Sequence, residues 1–216
     1  MSARWILRFL LLLPAGALTV AAIPRFHTGL LLERAFPATA YIQTDTPLPM
    51  PSYRQAANLL AGASRNDPET ALLQAEAAID AGAPSQLIVT KVERALSSSP
   101  LSARGWIILA SLLTQEAPQK AAKALTLGFD LAPRDYYLIL PRTLVAAPLW
   151  SHLQARVQTI LLNDVKALAA DPEKRDQLRL LLSKPGGAEL VVRSFAGRPD
   201  SLRELNRTLA REVLHL

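Results

Sequence analysis

From Tyr53 onward, apolar residues recur at helical spacing almost without a break. Tyr53, Ala56, Ala57 and Leu60 stand at i, i+3, i+4 and i+7, one face of a helix that Gly62 is placed to end. Asn66-Asp67-Pro68-Glu69 reads as the next helix start. Asp67 can accept from an unpaired backbone N–H, Pro68 lacks a donor that the first turn leaves idle, and Glu69 complements the helix dipole. Ala71, Leu72, Ala75 and Ile79 give that helix its apolar face. Ala81-Gly82-Ala83-Pro84 makes a turn, and Leu87, Ile88, Val92, Ala95 and Leu96 line a returning helix. A second pair follows: Trp106, Leu109, Ala110 and Leu113, a turn at Glu116-Ala117-Pro118, then Ala121, Ala124, Leu125 and Gly128.

After Pro133 the pattern stays helical but loses its period. Residues 135–145 predict a helix interrupted at Pro141. Pro148 and Leu149 are expected to open a long helix carrying Trp150, Leu153, Val157, Ile160, Leu161, Val165 and Leu168. Asp171-Pro172-Glu173 repeats the start signal of residues 67–69, and Leu178, Leu180, Leu181 and Leu182 are dense enough to be buried. Pro185-Gly186-Gly187 is a stop, and residues 188–195 fit a short helix or a strand. Ser201-x-x-Glu204 reads as a capping box opening a final amphipathic helix with Leu202, Leu205, Leu209, Val213 and Leu216. No segment alternates as a strand should, so the fold class is all-α.

The corner prolines Pro68, Pro100 and Pro133 are spaced 32 and 33 residues apart. Within residues 95–133, Trp106, Leu109, Ala110, Leu113, Ala121, Leu125, Gly128 and Pro133 resemble the signature positions of a tetratricopeptide repeat, with one residue missing from the turn between its helices. The preceding unit, 68–100, departs from that signature: Leu72 replaces Trp, and Glu76 stands where a small residue belongs. The resemblance implies a short right-handed stack of helical hairpins, capped by a degenerate unit and followed by extra C-terminal helices. In such a stack Ala110 and Ala121 let two helices approach, and Trp106 fills the gap between hairpins. It also implies a concave binding face built from the first helix of each pair, to which Arg104, Ser111, Gln115 and Arg142 are the candidate polar contributors.

The N-terminus carries an address. Arg4 and Arg8 precede fifteen residues, Phe9 to Ile23, without a charge. That length lies between a signal-peptide core and a membrane span of about 20 residues. Arg8 and Trp5 suit an uncleaved signal anchor at residues 1–24, while Val20-Ala21-Ala22 suits cleavage before Ile23. Either reading sends the remainder across the cytoplasmic membrane. Pro37, Pro47, Pro49 and Pro51 mark residues 25–52 as a juxtamembrane segment and extended linker, leaving 53–216 as the helical domain.

Composition narrows the function. Aromatics are 6% of the chain and half of it is hydrophobic, mainly Leu and Ala, which favours helices over strands. The net charge of +6 comes from arginines scattered beside acids, as in Glu93/Arg94 and Arg203/Glu204, with no basic block interleaved with aromatics. No nucleic-acid partner is expected. With no cysteine, disulfides and thiolate metal sites are excluded. His27, His152 and His215 lack partners at ligand spacing, and Gly186-Gly187 lacks the order of a phosphate loop, so no cofactor, metal or catalytic residue is expected. Trp106, Tyr136, Tyr137 and Trp150 read as packing aromatics. The expected role is a non-catalytic, membrane-anchored scaffold or adaptor that binds a protein partner outside the cytoplasmic membrane. The layout is similar to that of small anchored repeat proteins of bacterial surface-polysaccharide gene clusters, which implies a part in polysaccharide assembly or export. A periplasmic assembly chaperone shares every one of these features, and an enzyme acting on polysaccharide is the reading from another class.

Overall fold

The computed structural model describes residues 50–63 and 67–214. These form ten α-helices joined by turns, three of them 3-10, with no strand among the described residues. The all-α expectation holds for them. The expected membrane-directing segment, residues 1–24, lies outside them, as does nearly all of the linker. No helix among the described residues is long and apolar enough to cross a membrane. The chain divides into two compact units, with the division falling between Lys91 and Val92.

The first unit contains α1 (Met50–Ala63), α2 (Pro68–Asp80) and the first half of α3 (Ser85–Ser98). Helix α1 starts inside the segment expected to be linker, because Pro51 falls in its first turn, where a missing N–H costs nothing. It also runs one residue past Gly62. Helix α2 begins as its sequence predicts: the Asp67 carboxylate accepts from the Thr70 N–H at 2.9 Å, and Pro68 opens the first turn. It ends in a Schellman turn. The Ala83 N–H reaches the Ala78 carbonyl and the Gly82 N–H the Ile79 carbonyl, both at 2.9 Å. Gly82 takes φ 72°, the left-handed region this turn requires. Helices α1 and α2 pack along each other, with Ala56, Leu60, Leu72, Ala75 and Ala77 buried.

The second unit opens with the rest of α3 and the hairpin of α4 (Ala103–Leu113) and α5 (Pro118–Leu131). Ser102 caps α4, accepting from the Gly105 N–H at 3.3 Å, and Pro118 opens α5. Gly128 sets how closely the two helices approach. A Cβ there would lie 3.0 Å from Ile107 Cγ1 and 3.2 Å from the Ala103 carbonyl oxygen.

Helix starts recur where the prolines do not. Pro68 begins α2, whereas Pro100 and Pro133 lie in turns, so the three are not equivalent. From the first residue of α2 to that of α4 is 35 residues, and from α3 to α5 is 33. In that register Ala75, not Glu76, is the counterpart of Ala110, and both are buried. Ile88, Val92 and Ala95 are likewise the counterparts of Ala121, Leu125 and Gly128, and all six are buried. The same inward pattern therefore occurs twice, and the mismatch at Glu76 disappears. This is compatible with a helical-repeat protein.

Beyond the hairpin come α6 (Ile139–Ala146), α7 (Ala155–Ala170), α8 (Arg175–Leu182), α9 (Gly187–Ser194) and α10 (Pro199–Leu214). Three expectations are corrected here. Pro141 does not interrupt a helix, because the preceding residues 136–138 form a 3-10 turn and α6 starts only at Ile139, placing Pro141 in its first turn. The stretch Ala147–His152 is a 3-10 turn and Leu153 is extended at ψ 143°, so Trp150 and Leu153 precede the long helix instead of belonging to it. Helix α10 begins at Pro199, which leaves Ser201 inside the helix and the capping box unused.

The open choice at residues 188–195 resolves as helix α9. Gly186, at φ 75°, and Gly187 make the tight passage into it, since a Cβ on Gly186 would lie 2.7 Å from the Ala147 carbonyl oxygen and one on Gly187 only 1.8 Å from that of Leu181. Leu125, Phe129, Leu149, Val157, Leu161, Leu178, Leu181 and Leu190 are fully buried in this unit. Each stabilises it by roughly 1.5–3 kcal/mol relative to exposure.

Candidate partner-binding site

The residues resembling a repeat signature mostly point inward. Leu109, Ala110, Ala121, Leu125 and Gly128 are buried, Trp106 and Leu113 are half-buried, and Pro133 is exposed. Trp106 donates its indole N–H to the Pro100 carbonyl at 2.8 Å, which ties the start of α4 to the turn before it. A short turn and small interior residues thus give a hairpin whose outer side chains sit on a close-packed base.

The four candidate polar contributors separate into three and one. Arg104 and Ser111 stand seven residues apart, two turns along one face of α4, and Gln115 follows the end of that helix. Ser111 and Gln115 are exposed, and Arg104 is half-buried. The Ser111 hydroxyl donates to the Ile108 carbonyl at 2.8 Å.

Arg142 does not join them. It is 1% exposed, and its Nε and Nη2 donate to the two oxygens of Asp164 at 2.6 and 2.7 Å. Nη1 donates to the Ala132 carbonyl at 2.9 Å and Nη2 also to the Pro133 carbonyl at 3.3 Å. The guanidinium lies 5.0 Å from the centre of the Phe129 ring. A partner contact by Arg142 is therefore corrected, because four of its five N–H donors are spent inside the fold. It joins the end of α5, α6 and α7, an arrangement that suits the planar fork of arginine. Burial pushes the Asp164 carboxyl above its ordinary value, and the bonds and charge of Arg142 pull it part of the way back. Asp164 is the group the sequence reading missed. Its signal was position: it falls on the core stripe of α7 with Leu161, Val165 and Leu168.

The aromatics expected to pack divide: Trp106 and Trp150 are half-buried, whereas Tyr136 and Tyr137 are exposed, so a packing role is corrected for the two tyrosines. Tyr136 donates its hydroxyl to Asp171 at 2.7 Å, with Lys174 Nζ 4.6 Å above its ring. The bond to Asp171 raises the Tyr136 pKa, and the same bond, helped by the Glu173 N–H, lowers that of Asp171. Trp150 is half-buried under Arg193, whose guanidinium lies 5.3 Å from its ring. His152 is exposed, and His27 and His215 lie outside the described residues. No three His, Asp or Glu side chains converge as metal ligands among the described residues.

No protein-family model, curated protein or solved structure matches the chain. The fold and its side chains therefore carry the functional reading.

Proposed function

We propose that this chain is a non-catalytic, membrane-anchored scaffold or adaptor whose helical domain docks a protein partner on the outer side of the cytoplasmic membrane. One observation carries the reading: α4 and α5 form a close-packed hairpin that buries its small and apolar residues and leaves polar side chains of the first helix, Ser111 above all, facing solvent. Hairpins of this kind offer a rigid surface at little entropic cost on binding. The buried acid Asp164 faces Arg142 and not a second carboxylate, as a core-fastening role requires. The resemblance of the whole layout to anchored repeat proteins of surface-polysaccharide gene clusters makes polysaccharide assembly or export the proposed setting.

Site-specific photo-cross-linking in intact cells tests this. A photoreactive residue at Ser111 or Gln115 is expected to trap one discrete protein adduct, and the same residue at exposed Lys184, in the turn before α9, is expected to trap none. No adduct from either α4 position, or the same adducts from all three, counts against docking at this face.

A further inference from the structure

The outer face of α5 combines features that protein docking by α4 does not use. Lys120, Lys123, Leu127 and Leu131 succeed one another at steps of three and four, so they share one side of the helix, and all four are exposed. Leu127 and Leu131 are 43% and 37% exposed. The chain continues from this face into exposed Arg134 and the Tyr136–Tyr137 corner. There the two rings meet edge to face at 6.3 Å, and Tyr137 stands 86% exposed. The acid nearest in sequence to the leucines, Asp130, is held in an ion pair by Arg156. Lys120 and Lys123 precede the leucines on α5 and Arg134 follows them, while Asp135 accepts from the Tyr137 N–H and Asp171 from the Tyr136 hydroxyl at the corner.

We infer that this strip, residues 120–137, rests on an anionic phospholipid surface. Exposed leucines enter the boundary between headgroups and acyl chains. Tyr137 suits that depth, with an apolar ring and a polar tip. Lysines and arginine lay their stems along the apolar zone and present charge to lipid phosphates. The net charge of +6 favours the same approach. The N-terminal apolar run, expected to hold the chain at a membrane, raises the local lipid concentration, so a modest patch suffices. The inference concerns a surface separate from Ser111 and Gln115; it rests on the membrane-anchor part of the proposed function and not on its docking part.

The full chain lacks cysteine, so a cysteine introduced by Leu131→Cys takes an environment-sensitive dye at one place. The labelled full chain is reconstituted into phosphatidylcholine vesicles with and without phosphatidylglycerol. The expected result is a blue shift, with quenching by brominated lipid, only where phosphatidylglycerol is present. Each cation removed from the strip weakens the contact about fivefold. The triple variant Lys120→Glu, Lys123→Glu, Arg134→Glu should therefore abolish the shift, as should high salt. All three side chains are exposed, so helicity should be unchanged. Tyr137→Ala should reduce the shift without altering its salt dependence. A dye equally solvated in both vesicle types, or a shift that survives charge reversal, overturns the inference and leaves the strip to a protein partner.

Discussion

Arg142→Met keeps an unbranched, apolar stem in place and removes the guanidinium that joins α5, α6 and α7. It leaves the Asp164 carboxylate buried with its charged partner gone. Breaking a buried pair from one side costs about 3–5 kcal/mol. The carbonyls of Ala132 and Pro133 lose their donors as well, but both residues are partly exposed and water replaces much of that loss. Asp164→Leu strands the guanidinium and should cost a similar amount. The double variant removes both charges, so its expected loss is only about 1–3 kcal/mol, chiefly the two uncapped carbonyls. The singles are thus far from additive, with a coupling of several kcal/mol. Guanidinium unfolding of the four proteins, followed by far-ultraviolet circular dichroism, measures the cycle. A pH arm checks the cause. Without Arg142, burial alone acts on Asp164 and its folded pKa rises further above the unfolded value. The folded state then binds the extra proton, so the deficit of Arg142→Met is full above the raised pKa and shrinks as pH falls through it. An additive cycle, or a deficit under about 1 kcal/mol, which is the range of an exposed pair, refutes the reasoning.

Gly186→Ala meets both a left-handed backbone and the Ala147 carbonyl, and should cost about 2–4 kcal/mol, whereas Gly82→Ala has open space around it and should cost only about 1–2 kcal/mol; chemical denaturation of both variants decides. Leu125→Ala opens a cavity at a fully buried position of α5 and should cost about 2–5 kcal/mol by the same measurement. Asp171 has a lowered carboxyl pKa, so its contribution is present above the unfolded value and is lost as pH falls through the folded one. Tyr136→Phe removes the first cause of that lowering, and nuclear magnetic resonance titration should find the Asp171 pKa moved up toward its ordinary value.

Helix identity was legible where local rules decide it. Asp67-Pro68-Glu69 and the Gly82 turn act through neighbours two to five residues away, and each forms as read. Misreadings arose where two start signals competed, as at Pro199 and Ser201, or where a proline's effect depended on the turn before it, as at Pro141. The proline spacing also misled, because Pro68 occupies a helix start while Pro100 occupies a corner. At the candidate site Ser111 and Gln115, named from the repeat resemblance, are exposed. Arg142 is not, and its burial was not legible, because it depends on a partner 22 residues away in sequence.

The docking role is tested most directly by the native mass of the intact protein extracted with its surrounding lipid from its own membrane. The account predicts a discrete assembly containing this 23.5 kDa chain and a second, different polypeptide, which Ser111→Arg with Gln115→Arg dissociates while helicity is kept. A mass equal to the chain alone or to whole multiples of it, unchanged by that pair of substitutions, contradicts the account.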